Sequence, residues 1–106
     1  MADQVRASHI LLMYAGSARS TATRSKQEAQ QQIAEIKAQL DSGADFAQLA
    51  RQQSDCPSGR EGGDLGPFGR GQMVAPFEQA AFSMQVGGTS GIVETDFGYH
   101  VIRRTA

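Results

Sequence analysis

The chain has no tryptophan, one cysteine, three prolines and two histidines among 106 residues, and a formal net charge of only −1. Each scarcity removes a class of explanation. A lone cysteine, Cys56, excludes an internal disulfide and leaves either a buried apolar thiol or a functional one. So small a net charge offers little attraction for a polyanion, and no nucleic-acid partner is expected. No apolar run approaches the roughly 20 residues that span a bilayer, and Met1-Ala2-Asp3-Gln4 begins nothing resembling a secretory signal. The chain reads as cytoplasmic, with no membrane partner, although a mature exported fragment would look the same.

Close metal-ligand pairs are also missing. His9, Cys56 and His100 are spread along the chain, so no metal is expected. The glycine run lacks the Gly-Lys-Ser/Thr ending of a phosphate-binding loop, and no cofactor is expected either. What is present is ordinary for a folded protein: 40% hydrophobic and 20% charged residues, enough for one domain over residues 1–106. Nothing in that apolar content requires a dimer, and a monomer is expected.

Along the chain, Gln4 to Met13 carries Val5, Ala7, Leu11 and Met13 on one parity and Ile10 and Leu12 on the other. Burial on both sides suits a central strand. Tyr14 to Arg24 is small, polar and aperiodic, and reads as a loop. Ser25 with Glu28 forms a capping box that predicts a helix, whose buried face is Ala29, Ile33, Ile36 and Leu40 and whose end is Gly43. Asp45 is placed to cap a second helix bearing Phe46, Leu49 and Ala50. From Ser54 to Gly71 glycine and proline predict turns and close backbone approaches. Pro76 predicts a third helix, carrying Phe77, Ala80, Ala81 and Met84 up to Gly87-Gly88. Thr89 to Thr95 and Tyr99 to Arg104 predict a terminal hairpin. The order implies an antiparallel α+β domain.

Three groups of residues are candidates for chemistry. Pairing of the first and last strands would bring His9 and His100 together, with Ser8, Ser90 and Thr95 near enough to fix their tautomers. Cys56 is either a buried thiol or a nucleophile that a histidine activates. Leu65, Met73 and Phe77 are either plain core or a shallow pocket for a ring-shaped apolar side chain.

The ordered set Ala7-Ser8-His9-Ile10-Leu11, Ser54-Asp55-Cys56, Gly62-Gly63-Asp64-Leu65-Gly66, Gly71-Gln72-Met73, Pro76-Phe77 and Phe97-Gly98-Tyr99-His100 resembles the parvulin-type peptidyl-prolyl cis/trans isomerases, or rotamases, over almost the whole chain. The resemblance implies a four-stranded antiparallel sheet surrounded by about four short helices. It implies an enzyme that rotates X-Pro bonds in proline-containing peptides and in unfolded or partly folded proteins, assisting folding. By the same resemblance His9, Cys56, Thr95 and His100 are the catalytic set, and Leu65, Met73 and Phe77 hold the proline ring. A chaperone-like peptide-binding domain is a competing reading, as is a thiol-dependent hydrolase or redox protein, though no resolving cysteine accompanies Cys56.

The loop departs from the family pattern. In the phosphate-directed branch a lysine ends the first strand and an arginine pair follows, together reading phosphoserine or phosphothreonine before proline. Here Met13 stands at the lysine's place and Ala18 with Arg19 at the pair's. Arg19 is a candidate contact for an acidic substrate side chain, Arg24 a possible helper, and no strict phosphate requirement is expected.

Overall fold

The computed structural model describes residues 4–18 and 20–106. Its elements are strand β1 (Gln4–Leu12), helix α1 (Lys26–Asp41), helix α2 (Phe46–Gln53), a short 3₁₀ helix (Pro57–Glu61), strand β2 (Asp64–Gly69), helix α3 (Ala75–Ser83), strand β3 (Val93–Thr95) and strand β4 (Gly98–Arg104). The strands form one antiparallel sheet in the order β2-β1-β4-β3. β1 is therefore central, as its two-sided apolar pattern predicts. Among the described residues no helix is long and apolar enough to cross a membrane.

Strand alternation sends neighbouring side chains to opposite faces, and the two faces differ in purpose. Ile10 and Leu12 of β1, with Tyr99 and Val101 of β4, pack against Ile33, Ile36 and Leu40 of α1 and Phe46 and Leu49 of α2. Ile33 and Ile36 are almost wholly inaccessible, so truncating either to alanine would cost about 2–5 kcal/mol. Val5 and Ala7 of β1 and Ile102 of β4 face the other way, onto Phe68, Phe77 and Ala81. His9 and His100 share that second face.

Local chemistry sets the ends of these helices. Ser25 Oγ accepts the Glu28 N–H at 3.1 Å while Glu28 Oε1 accepts the Ser25 N–H at 2.9 Å, completing the capping box. Asp45 Oδ2 takes the Gln48 N–H at 3.0 Å, starting α2. Gly43 ends α1 with φ +99°, donating to the Leu40 carbonyl at 3.0 Å.

Three elements differ from expectation. The glycine-rich stretch holds the 3₁₀ helix and all of β2: Phe68 is buried in one cluster with Val5, Phe77 and Ile102, which brings the segment onto the sheet edge, and Arg6 of β1 pairs with Asp64 at the exposed rim through Nη2–Oδ2 at 2.5 Å and Nε–Oδ1 at 3.2 Å. Helix α3 ends at Ser83, leaving Met84 as its cap, since the extended backbone at Met84 (ψ 153°) precedes the Gly87 turn. The strand expected from Thr89 shrinks to Val93–Thr95 plus an isolated Thr89–Arg103 bridge. There the Ser90 N–H donates to the Ile102 carbonyl at 2.7 Å while Ser90 Oγ accepts the Ile102 N–H at 2.9 Å, so a side chain takes one of the two bonds of the ladder.

Candidate active site

Antiparallel pairing sets His9 opposite Ile102 and Leu11 opposite His100, so the two histidines are diagonal neighbours on one face. Their rings stack with centroids 5.2 Å apart at an interplanar angle of 21°, and the two Nδ1 atoms are 3.0 Å apart. Phe77 of α3 meets both rings nearly at right angles, with centroids at 5.4 Å in each case. Of the three candidate hydroxyls, Thr95 reaches the pair: its Oγ1 lies 2.7 Å from His100 Nε2. Ser90 is spent on Ile102 and Gly91, and Ser8 lines a separate recess with Arg6 and Asp64.

These contacts form a short chain. An Nδ1–Nδ1 contact needs one protonated and one bare nitrogen. Thr95 Oγ1, which also accepts the Phe97 N–H at 3.2 Å, joins the chain at His100 Nε2. The chain stops at His9 Nε2, which is buried with no hydrogen-bond partner among the described residues. Burial pushes the His9 imidazole down to about 4; burial and the neighbouring His9 push His100 down to about 3. Both rings are neutral at pH 7, as this network requires.

The histidines form one wall of a cavity of about 410 Å³. Leu65, Met73 and Phe77 also line it, as do Cys56 and Pro57, so sequence-predicted residues from four parts of the chain converge. The lining is overwhelmingly apolar and the volume lies in the range of roughly 300–1,000 Å³ usual for ligand sites. Cys56 is half-buried, and its Sγ accepts a hydrogen bond from Ser58 Oγ at 3.1 Å. Thr95 stands behind His100, lining instead a second cavity of about 800 Å³ that adjoins the first at Val74. Arg19 lies outside the described residues.

Sequence reasoning missed several wall residues. Leu11 shares the parity of His9, a readable signal, and Met13 extends the same face; Phe97 closes the cavity from the β3–β4 turn. It also missed a clasp beneath them. Asp55 N–H donates to the Leu11 carbonyl at 2.7 Å, Asp55 Oδ2 accepts the Met13 N–H at 2.8 Å, and Ser54 Oγ accepts the Leu11 N–H at 3.1 Å. Arg24 closes the clasp by pairing with the Asp55 carboxylate and donating to the Met13 carbonyl at 2.8 Å. Ser54 and Asp55 thus lash the segment carrying Cys56 to the end of β1.

Two glycines allow the approach of backbone that assembles this wall. The His9 N–H donates to the Gly63 carbonyl at 3.0 Å, and a Cβ at Gly63 would sit 2.4 Å from the His9 carbonyl oxygen. At Gly98, with φ +143°, a Cβ would sit 2.2 Å from the Leu12 carbonyl oxygen. Neither position admits a side chain. Among the described residues no group of three or more His, Cys, Asp or Glu side chains is arranged to hold a metal.

A family model described as the PPIC-type PPIASE domain matches residues 1–106. The peptidyl-prolyl cis-trans isomerase Pin1 of Arabidopsis thaliana is 45% identical over 115 residues, covering 98% of this chain and 97% of that one. The foldase protein PrsA of Geobacillus kaustophilus is 44% identical over 103 residues, covering 96% of this chain and 31% of the foldase. The solved peptidyl-prolyl isomerase ESS1 from Candida albicans superimposes with a TM-score of 0.92 at 38% identity, over 98% of this chain and 63% of its own.

Proposed function

Because the chain belongs to the parvulin family and is a peptidyl-prolyl cis-trans isomerase, we propose that it turns X-Pro bonds by torsional selection, without covalent chemistry, metal or cofactor, in the cavity between His9, Cys56 and Phe77. The observation that carries this reading is a largely apolar cavity in which Leu65, Met73 and Phe77 share the lining with Cys56, His9 and His100, Phe77 lying against both imidazole rings.

The reaction asks for little. Rotation is slow because amide resonance raises a barrier of about 18–20 kcal/mol. Twisting breaks that resonance and leaves the prolyl nitrogen a better hydrogen-bond acceptor. A thousandfold acceleration needs about 4 kcal/mol of preferential binding to the twisted form. Leu65, Met73 and Phe77 hold the proline ring, and exclusion of water strengthens the polar contacts around the rotating carbonyl. Cys56 acts as a polar neighbour of the amide. The neutral His9–His100–Thr95 network keeps the cavity wall in shape, with Phe77 braced on both rings.

The same reading extends to clients: proline-containing peptides and partly folded chains, met by a monomer whose residues 1–106 act as one catalytic domain. The likeness to a protein named a foldase supports the folding role. No strict phosphate requirement is proposed. Met13 brings no charge to the cavity, and Arg24 is engaged by Asp55. Ala18 lies in the larger cavity with Asp96, whose carboxylate opposes a phosphate dianion, and with Glu94, which is paired with Lys26.

The test is exchange spectroscopy by NMR on matched Ser-Pro, phosphoserine-Pro, Glu-Pro and Leu-Pro peptides. Turnover of all four is expected. A phosphopeptide advantage of about a hundredfold, equivalent to ~2.7 kcal/mol, would overturn the phosphate claim; binding without exchange across the panel would leave only a peptide-binding role.

A further inference from the structure

The lining of the proline cavity carries no formal charge, and charged residues stand beyond it on two sides. Toward β3, the larger cavity is edged by Asp96 and by Glu94, whose carboxylate is paired with Lys26 at 3.0 Å. On the opposite side of Cys56 lies a cleft of about 350 Å³ between the end of α2 and the 3₁₀ helix, edged by Arg51 and Arg60. Cys56 and Pro57 line both this cleft and the proline cavity, so the two recesses adjoin.

Arg51 and Arg60 are placed to act on such a peptide. Among the described residues neither is paired with a carboxylate, although four other ion pairs form. The one carboxylate lining the cleft, Asp55, is already neutralised by Arg24. Both side chains are exposed and both line the cleft. Two exposed guanidiniums on a shared concave surface attract an anionic side chain, and their forked donors suit a carboxylate or a phosphate.

We propose that the cleft between Arg51 and Arg60 receives an anionic side chain of the substrate peptide, flanking the proline whose ring fills the neighbouring cavity. The assignment rests on the isomerase reading of that cavity and adds a specificity determinant to it. The basic cleft also gives the peptide a direction, with its acidic residue toward Arg51 and Arg60.

The experiment measures kcat/KM by exchange NMR for peptides in which one glutamate is stepped through the positions on either side of proline. Glutamine and phosphoserine counterparts and a neutral reference peptide complete the set. The wild-type protein should favour glutamate over glutamine on one flank by about three- to tenfold at low ionic strength, the range that two exposed ion pairs supply, and less near physiological salt. Arg51→Glu combined with Arg60→Glu should abolish that preference while the neutral reference keeps its rate. The milder Arg→Gln pair should lose the preference without reversing it. A gain shared by glutamate and phosphoserine marks charge as the property read; a gain confined to phosphoserine and lost on reversal assigns the cleft to phosphate. No preference on either flank, or one that survives charge reversal, overturns the proposal. Failure of the wild-type protein on the neutral reference would instead count against the isomerase cavity.

Discussion

Acidification should destabilise this protein through the buried histidine pair of its candidate active site. His9 and His100 are held down to about 4 and about 3 in the folded state, whereas both titrate near 6.5 when unfolded. With folded values depressed, the unfolded chain binds the extra protons. Stability is therefore complete above pH 6.5 and is lost as the pH falls through the window below it, until the folded rings themselves protonate at about 4 and about 3. Each histidine contributes about 1.4 kcal/mol per pH unit there, so the two together give a slope of about 2.7 kcal/mol per unit. Between about pH 7.5 and about pH 5 the loss is about 4 kcal/mol, against a total of about 5–15 kcal/mol for an ordinary domain. Urea denaturation at stepped pH measures the slope, which should correspond to uptake of nearly two protons around pH 5.5, before most carboxylates titrate. Imidazole proton resonances of the folded protein should stay constant over the same range. Uptake of less than one proton, or a folded imidazole titrating near pH 6, would refute the claim that both rings are buried and neutral.

Other perturbations test the rest of the site. Cys56→Asp should retain more isomerase activity than Cys56→Ala, because the carboxylate keeps a polar group beside the amide; equal inactivity in two folded variants would remove the noncovalent role. Asp55→Asn breaks the ion pair with Arg24, whose partners are about three-quarters buried, and should cost about 1 kcal/mol in urea melts together with a several-fold drop in exchange rate as Met13 and Cys56 loosen. Unchanged rate and stability would show the clasp to be idle. Gly98→Ala forces a Cβ against the Leu12 carbonyl oxygen from a positive φ; a loss of at least about 2 kcal/mol is expected, read as a fall in the denaturation midpoint.

Much of the architecture was legible because it depends on short-range chemistry. The Ser25–Glu28 box, the Asp45 cap and the Gly43 stop involve residues within a few positions of one another, and each lies where spacing predicts it. Strand β2 was not legible. Leu65-Gly66-Pro67-Phe68 has poor strand propensity, and the pairing depends on Phe68 burying against Val5, Phe77 and Ile102, all on other elements. Ser90 illustrates the converse: a residue that looks like strand diverts the ladder through its own hydroxyl.

For the site, the sequence alone was enough to nominate His9, Cys56 and His100, the apolar trio and the family, because residue type and order along the chain carry that information. Tertiary structure decided how they act on one another. Only the register of β1 against β4 makes the histidines diagonal neighbours with Nδ1 atoms 3.0 Å apart. Only Phe77 arriving from α3 closes the face above them, and it is this burial that keeps both rings neutral. The clasp of Asp55 and Arg24 likewise depends on residues far apart in the chain meeting in space. Spacing along a chain determines what lies on one face of one element; which faces meet, and therefore dielectric, protonation and charge complementarity, follows from packing the elements together.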